Sequence, residues 1–68
     1  MTSHEFWRDT RTGEVWAVRL LDGVVVGCCG PLHHDDVDPD FLEHLDYAAE
    51  GAASIEAQRE EFALLAPA

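Results

Sequence analysis

The sequence contains no lysine, and its cationic side chains other than histidine are four arginines. Fourteen aspartates and glutamates oppose them, which gives a formal net charge of −10 at pH 7. Proteins that bind nucleic acid or anionic lipid headgroups need clustered lysine and arginine to neutralise phosphate. Because such clusters are absent, nucleic acid and the membrane surface are not expected partners.

The negative charge is concentrated in the second half of the chain. Residues 1–31 carry four acidic side chains and three arginines, a net charge of −1, whereas residues 32–68 carry ten acidic side chains and one arginine, a net charge of −9. Three explanations stay open: solubility, a basic protein partner, or a host with a salt-rich cytoplasm.

Long apolar runs and cysteines are also scarce. The longest weakly polar stretch, residues 23–32, is far shorter than the roughly 20 residues that span a bilayer. The two cysteines, Cys28 and Cys29, are adjacent. Adjacent Cα atoms lie about 3.8 Å apart, closer than the roughly 4.4–6.8 Å usual for a disulfide. With no signal-like basic and apolar regions at the start, we expect reduced thiols and a cytoplasmic protein.

The composition predicts one small folded domain over residues 1–68. The hydrophobic fraction of 47% is that of an ordinary globular protein. A chain of this size buries only roughly 60% of the surface that it exposes when unfolded. Small domains of this kind commonly gain stability from a disulfide, a metal or a partner.

Residues 5–30 predict an antiparallel, three-stranded β-meander. Its strands are expected in three runs, residues 5–8, 14–21 and 24–29. Asp22 and Gly23 separate the last two runs, a pattern typical of a type I′ hairpin turn. Gly30-Pro31 is expected to end the third strand, because proline cannot donate to a sheet ladder.

Both faces of the predicted meander carry apolar side chains, although a sheet with one solvated face normally alternates apolar and polar residues. A chain this short is expected to supply helix for one face only. We therefore predict self-association as a homodimer or other homo-oligomer, with acidic residues 35–61 as a second contact surface. The predicted contact residues on the sheet are Val15, Ala17, Leu21 and Val25.

Residues 39–66 predict a helical segment. Asp38 and Pro39 are typical of an N-cap and a first helical position. Apolar side chains then recur at helical spacing, at Phe41, Leu45, Ala48, Ala52, Ile55 and Phe62. Either one helix runs to about residue 63, or Gly51 ends a first helix and Ser54 begins a second. Residues 62–68 either finish the helix or run extended along the sheet.

The predicted fold class is therefore α+β: a three-stranded antiparallel meander followed by one or two C-terminal helices packed on one sheet face. The expected core residues are Trp16, Val18, Leu20, Val24 or Val26, Leu45, Ile55 and Phe62.

One segment has the residue types of a transition-metal site. Thiolate and imidazole are ligands for zinc, nickel and copper. The candidate ligands are Cys28, Cys29, His33 and His34, with the more distant His44 as a further one. However, adjacent cysteines in a strand point to opposite faces, and the spacing is not that of a zinc finger. We expect no cofactor, with a metal such as zinc as the alternative.

Catalysis is not expected. A cysteine near a histidine is a potential thiol nucleophile, but an enzyme also needs an oxyanion site and a cleft. We do not expect a chain of 68 residues to form such a cleft. No motif is specific enough to indicate a family. The leading hypothesis is a small acidic accessory or protein-interaction module, and the alternative is a metal-binding protein.

Overall fold

The computed structural model describes residues 1–67; Ala68, the last residue of the predicted domain, lies outside the described residues. Four strands form one antiparallel sheet in the order β3-β2-β1-β4. Their bounds are β1 Thr2–Asp9, β2 Val15–Leu21, β3 Val24–Leu32 and β4 Phe62–Pro67. The α+β class and the three-stranded meander are confirmed, and β4 adds a fourth strand beside β1.

The helical elements are short. In the part of the chain that the structure describes, one α-helix, α1, covers Ala52–Ala57, and three 3-10 helices cover His34–Asp36, Pro39–His44 and Arg59–Glu61. The helical segment predicted over residues 39–66 is therefore confirmed only in part: Pro39–His44 and Ala52–Ala57 are helical, but no long helix forms. Phe62–Pro67 takes the extended alternative, as strand β4. No helix within residues 1–67 is long and apolar enough to cross a membrane.

Local chemistry explains where the predicted helix fails. Asp38 does act as an N-cap, since its side chain accepts a hydrogen bond from the Asp40 backbone N–H at 3.0 Å. The 3-10 helix then ends at Leu45, where the backbone is extended. Aspartate, histidine and glycine are weak helix formers. The backbone of Ala48 pairs instead with Cys28 of β3, through two hydrogen bonds of 2.9 Å.

The β2–β3 hairpin has the predicted turn, with φ values of 51° and 85° at its two central residues. A two-residue turn places Leu20 opposite Val25, so these side chains share one face. Val25 is accordingly buried, whereas Val24 and Val26 are 50% and 39% exposed. The assignment of Val24 or Val26 to the core is wrong because it ignored this pairing.

Strand β3 is longer than predicted. It continues through Gly30-Pro31 to Leu32, and its pairing with β2 shifts register in this region. A β-bulge accommodates residues that cannot continue a regular ladder. The extension carries β3 to the start of the acidic 3-10 turns.

Helix α1 covers one face of the sheet. The buried residues of this cluster are Trp7, Val18, Leu20, Val25, Cys28, Ala52 and Ile55, with Trp16 and Phe62 packed against them. The predicted core residues Trp16, Val18, Leu20, Ile55 and Phe62 are thus buried or half-buried on this face, whereas Val24 and Val26 are not.

The opposite face is covered by residues 33–47, which we name the acidic segment. Leu42 packs with Phe6 and Ala17, and all three are at most 1% exposed. Half-buried neighbours surround them, namely Val15, Cys29, Leu32, Val37, Leu45 and Tyr47. The chain therefore covers both faces of its own sheet.

This arrangement corrects the predicted contact surface. Ala17 and Val25 are buried within the chain, and Val15 is half-buried, whereas Leu21 is exposed. We expected the chain to have helix enough for one sheet face only. The short 3-10 turns of the acidic segment cover the second face without a long helix. Self-association stays a prediction. The uncovered sheet face on which we based it is not present, because the acidic segment covers that face.

Replacing Leu42 tests whether the acidic segment packs on the sheet. We expect Leu42→Ala to lower the free energy of unfolding by about 2–5 kcal/mol, because it leaves a cavity against Phe6. Phe41→Ala, on the same 3-10 helix but 59% exposed, is expected to change it by about 0.5 kcal/mol or less. Urea denaturation followed by tryptophan fluorescence measures both. Equal losses would contradict the packing described here.

Candidate functional site

A surface cavity of about 630 Å³ lies where the acidic segment meets β3. Four aspartates contribute carboxylates to its wall, namely Asp35, Asp36, Asp38 and Asp46. Three apolar side chains, Leu32, Phe41 and Leu45, line it with Cys29 and His44. We name this feature the acidic cavity.

Short 3-10 turns position the carboxylates. Asp35 and Asp36 lie on the turn His34–Asp36, which is closed by a hydrogen bond of 2.8 Å from the Asp36 N–H to the His33 carbonyl. Asp38 caps the next turn, and Asp46 follows the extended residue Leu45. A 3-10 helix rarely exceeds a few residues, so the chain changes direction repeatedly. The four aspartates therefore line a concave surface, although only Asp38 was predicted to cap a helix.

Most of these carboxylates have no cationic partner. Among residues 1–67, the ion pairs of the cavity aspartates are those of Asp35 with the imidazoles of His33 and His34, when these are protonated. Two of the four arginines are paired elsewhere, Arg11 with Asp9 and Arg59 with Glu56, both at 3.0 Å. Apart from Asp35, the aspartates of the acidic cavity consequently have no ion-pair partner within residues 1–67.

The two cysteines are separated by the sheet. Cys29 lines the acidic cavity, where burial raises the pKa of its thiol and the negative charges of Asp46 and Asp36 raise it further. Cys28 lies on the α1 side, where burial also raises its pKa and its thiol donates to the Glu50 carbonyl at 3.4 Å. Both are free thiols. A reactive cysteine needs a lowered pKa, so neither environment favours a nucleophile.

The predicted metal ligands are accordingly not brought together as one set. The alternation of β3 places Cys28 and Cys29 on opposite faces, as expected for neighbours in a strand. The structure instead groups His33 and His34 with Asp35 on the surface.

Tyr47 anchors the end of the acidic segment. Its hydroxyl donates to the Leu42 carbonyl, and the guanidinium carbon of Arg19 lies 4.8 Å from its ring centroid. Arg19 Nε in turn donates to His4 Nε2 at 3.2 Å, and the ring centroids of His4 and Tyr47 are 5.1 Å apart. Sequence reasoning missed this group, because the pairing of β1 with β2 indicates only that His4 and Arg19 are neighbours.

A second cavity, of about 270 Å³, lies between α1 and the β1–β2 loop. Its buried carboxylate, Asp9, accepts hydrogen bonds of 3.0 Å from both Nε and Nη2 of Arg11. These bonds hold the pKa of Asp9 below its usual value. Because this charge is compensated internally, the second cavity is less suited to an ionic ligand than the acidic cavity.

Comparison of the chain with known protein families, curated proteins and solved structures gave no match. The geometry of the chain is therefore the basis for assigning a function.

The ionisation of Tyr47 tests the anchoring of the acidic segment. Burial raises the pKa of Tyr47 to about 12, from an ordinary value of 10.0. The chain has one tyrosine, so tyrosinate absorbance reports on this residue alone. We expect ionisation near pH 12 in the folded protein and near pH 10 in urea. Stability provided by the neutral phenol should be present below pH 10 and be lost as the pH rises toward 12. A folded-state midpoint near pH 10 would mean that Tyr47 is solvated and the segment is not anchored.

Proposed function

We propose that this protein is a small acidic interaction module that binds a basic segment of another protein in the acidic cavity. The supporting observation is that Asp36, Asp38 and Asp46, which form no ion pair among the described residues, share one concave surface with apolar side chains. The proposal identifies the partner by its chemistry, as a protein segment that presents an arginine or lysine.

The cavity wall suits arginine in particular. A guanidinium donates to carboxylates in a planar fork and stacks on aromatic rings. Phe41 lines the cavity and is 59% exposed, so its ring is accessible for such stacking. Leu32 and Leu45 offer apolar surface to the methylene groups of a long cationic side chain.

The concentration of charge favours a partner over solubility alone. Carboxylates held close together without a cation repel one another and destabilise the free protein. Solubility requires only charge dispersed over the surface. A cationic ligand relieves this repulsion on binding, so part of the binding free energy would come from charges that are unfavourable in the free protein.

We propose no catalytic step for this protein. We propose that it is located in the cytoplasm. Burial and neighbouring carboxylates raise the pKa of Cys29, which opposes formation of the thiolate. The free thiols of Cys28 and Cys29 suit a reducing compartment.

If the chain self-associates, we propose that it does so at a sheet edge. The outer edge of β3 is partly closed, since Ala48 pairs with Cys28 and the Glu56 carboxylate accepts from the Val25 N–H at 2.8 Å. The other edge strand, β4, exposes Leu64 by 56% and Leu65 by 39%. Native mass spectrometry of Leu64→Lys against wild type tests this, because a dimer through β4 should be lost in the variant.

Binding of a basic segment can be tested with a short peptide that carries one arginine flanked by glycines. Nuclear magnetic resonance titration should shift the amide signals of the acidic segment. The variant Asp36→Asn/Asp46→Asn should bind more weakly, by up to about fivefold for each substitution, since an exposed ion pair contributes about 0.2–1 kcal/mol. The same variant should be at least as stable as wild type, because a repulsion has been removed.

Two controls make this test specific. Glu43→Gln/Glu60→Gln removes the same charge from exposed residues that do not line the cavity, and it should bind nearly as wild type does. The citrulline version of the peptide, which keeps the shape of arginine without its charge, should not bind. Equal weakening in both double variants would indicate attraction by net charge only and would contradict the proposed site.

A further inference from the structure

Two imidazoles and one carboxylate converge on the surface beside the acidic cavity. The donor atoms of His33, His34 and Asp35 all lie within 4.8 Å of one another. We infer that these residues, which we name the histidine cluster, form a binding site for a divalent transition metal ion such as Zn²⁺. This site differs from the thiol-containing set predicted from the sequence, and it does not depend on the binding of a basic segment.

The separations of the donor atoms suit a shared metal ion. Zinc lies about 2.0–2.2 Å from nitrogen and oxygen ligands. Two such ligands at angles of roughly 90–110° are therefore about 2.9–3.5 Å apart. In the structure, His34 Nε2 lies 3.0 Å from Asp35 Oδ1, and His33 Nδ1 lies 3.5 Å from Asp35 Oδ2. The three donor atoms lie within 4.8 Å of one another, so rotation of these exposed side chains would have to bring them closer for all three to coordinate one ion.

A hydrogen bond already holds one ligand ring beside Asp35. His33 Nδ1 accepts a hydrogen bond of 3.4 Å from the Asp35 backbone N–H. An imidazole nitrogen that accepts carries a lone pair and no proton. This nitrogen also faces the acceptor atom Asp35 Oδ2. A cation coordinated by His33 Nδ1 and Asp35 Oδ2 would take up this lone pair, so the long hydrogen bond from the Asp35 N–H would be broken on binding.

The ligand set and the surroundings select the class of metal. Imidazole favours zinc, copper and nickel, whereas Ca²⁺ and Mg²⁺ prefer oxygen ligands alone. The neighbouring carboxylates of the acidic cavity, including Asp36 and Asp38, add negative potential that attracts a divalent cation. All three ligands are exposed, so water or a ligand from another molecule can fill the remaining coordination positions.

Calorimetric titration of the tag-free protein with ZnCl₂ tests this inference. We expect one Zn²⁺ per chain, retained in the presence of excess Mg²⁺. His33→Ala and His34→Ala should each weaken Zn²⁺ binding by at least about tenfold, since changes even to groups that only orient a ligand cost about 10–100-fold. Both side chains are exposed, so the variants should keep the wild-type circular dichroism.

Two further variants separate this site from its alternatives. Cys29→Ser removes the thiol that the sequence suggested, and His44→Ala removes an imidazole that lines the acidic cavity; both should bind Zn²⁺ as wild type does. Loss of binding in Cys29→Ser, or undiminished binding in His33→Ala and His34→Ala, would overturn the assignment. Absence of Zn²⁺ binding to the wild-type protein, or its displacement by Mg²⁺, would also overturn it.

Discussion

The packing of Leu42 against Phe6 and Ala17 is the contact on which the second half of the molecule depends. The residues around it are rich in aspartate and form only short 3-10 turns, which have little stability of their own. Burial of Leu42, with Val37 and Leu45 packed beside it and Tyr47 as an anchor, therefore holds a highly charged segment on an apolar sheet face. A chain of 68 residues covers both sheet faces in this way without a long helix.

The same contact creates the candidate site. With Leu42 turned toward the sheet, its neighbour Phe41 projects outward, and the aspartates on either side line the acidic cavity. Asp36, Asp38 and Asp46 place negative charge there and form no ion pair within residues 1–67. A cationic partner bound in the cavity, or a metal ion bound by the histidine cluster, would bring positive charge close to them. Both proposals follow from the uneven distribution of charge along the chain.

Local signals in the sequence predicted local structure well. The Asp22-Gly23 turn and the Asp38 N-cap are confirmed because each depends on a few neighbouring residues. The apolar spacing of residues 41–62 was misleading, because it does not reveal that Ala48 pairs with Cys28 and that Leu42, outside the apolar stripe, enters the core. Such contacts join residues far apart in sequence. The acidic cavity could not be predicted for the same reason, although Cys29 and His44, two of its lining residues, were among the candidate metal ligands.

The most direct test of this structure is the nuclear Overhauser spectrum of the isotope-labelled protein. If the acidic segment is packed on the sheet, cross-peaks will join the Leu42 methyl groups to the Phe6 ring and the Tyr47 ring to Arg19. These contacts link opposite halves of the chain, so no local helix can produce them. Helical sequential contacts throughout residues 39–63, without cross-peaks from Leu42 to Phe6, would contradict the fold and remove the acidic cavity with it.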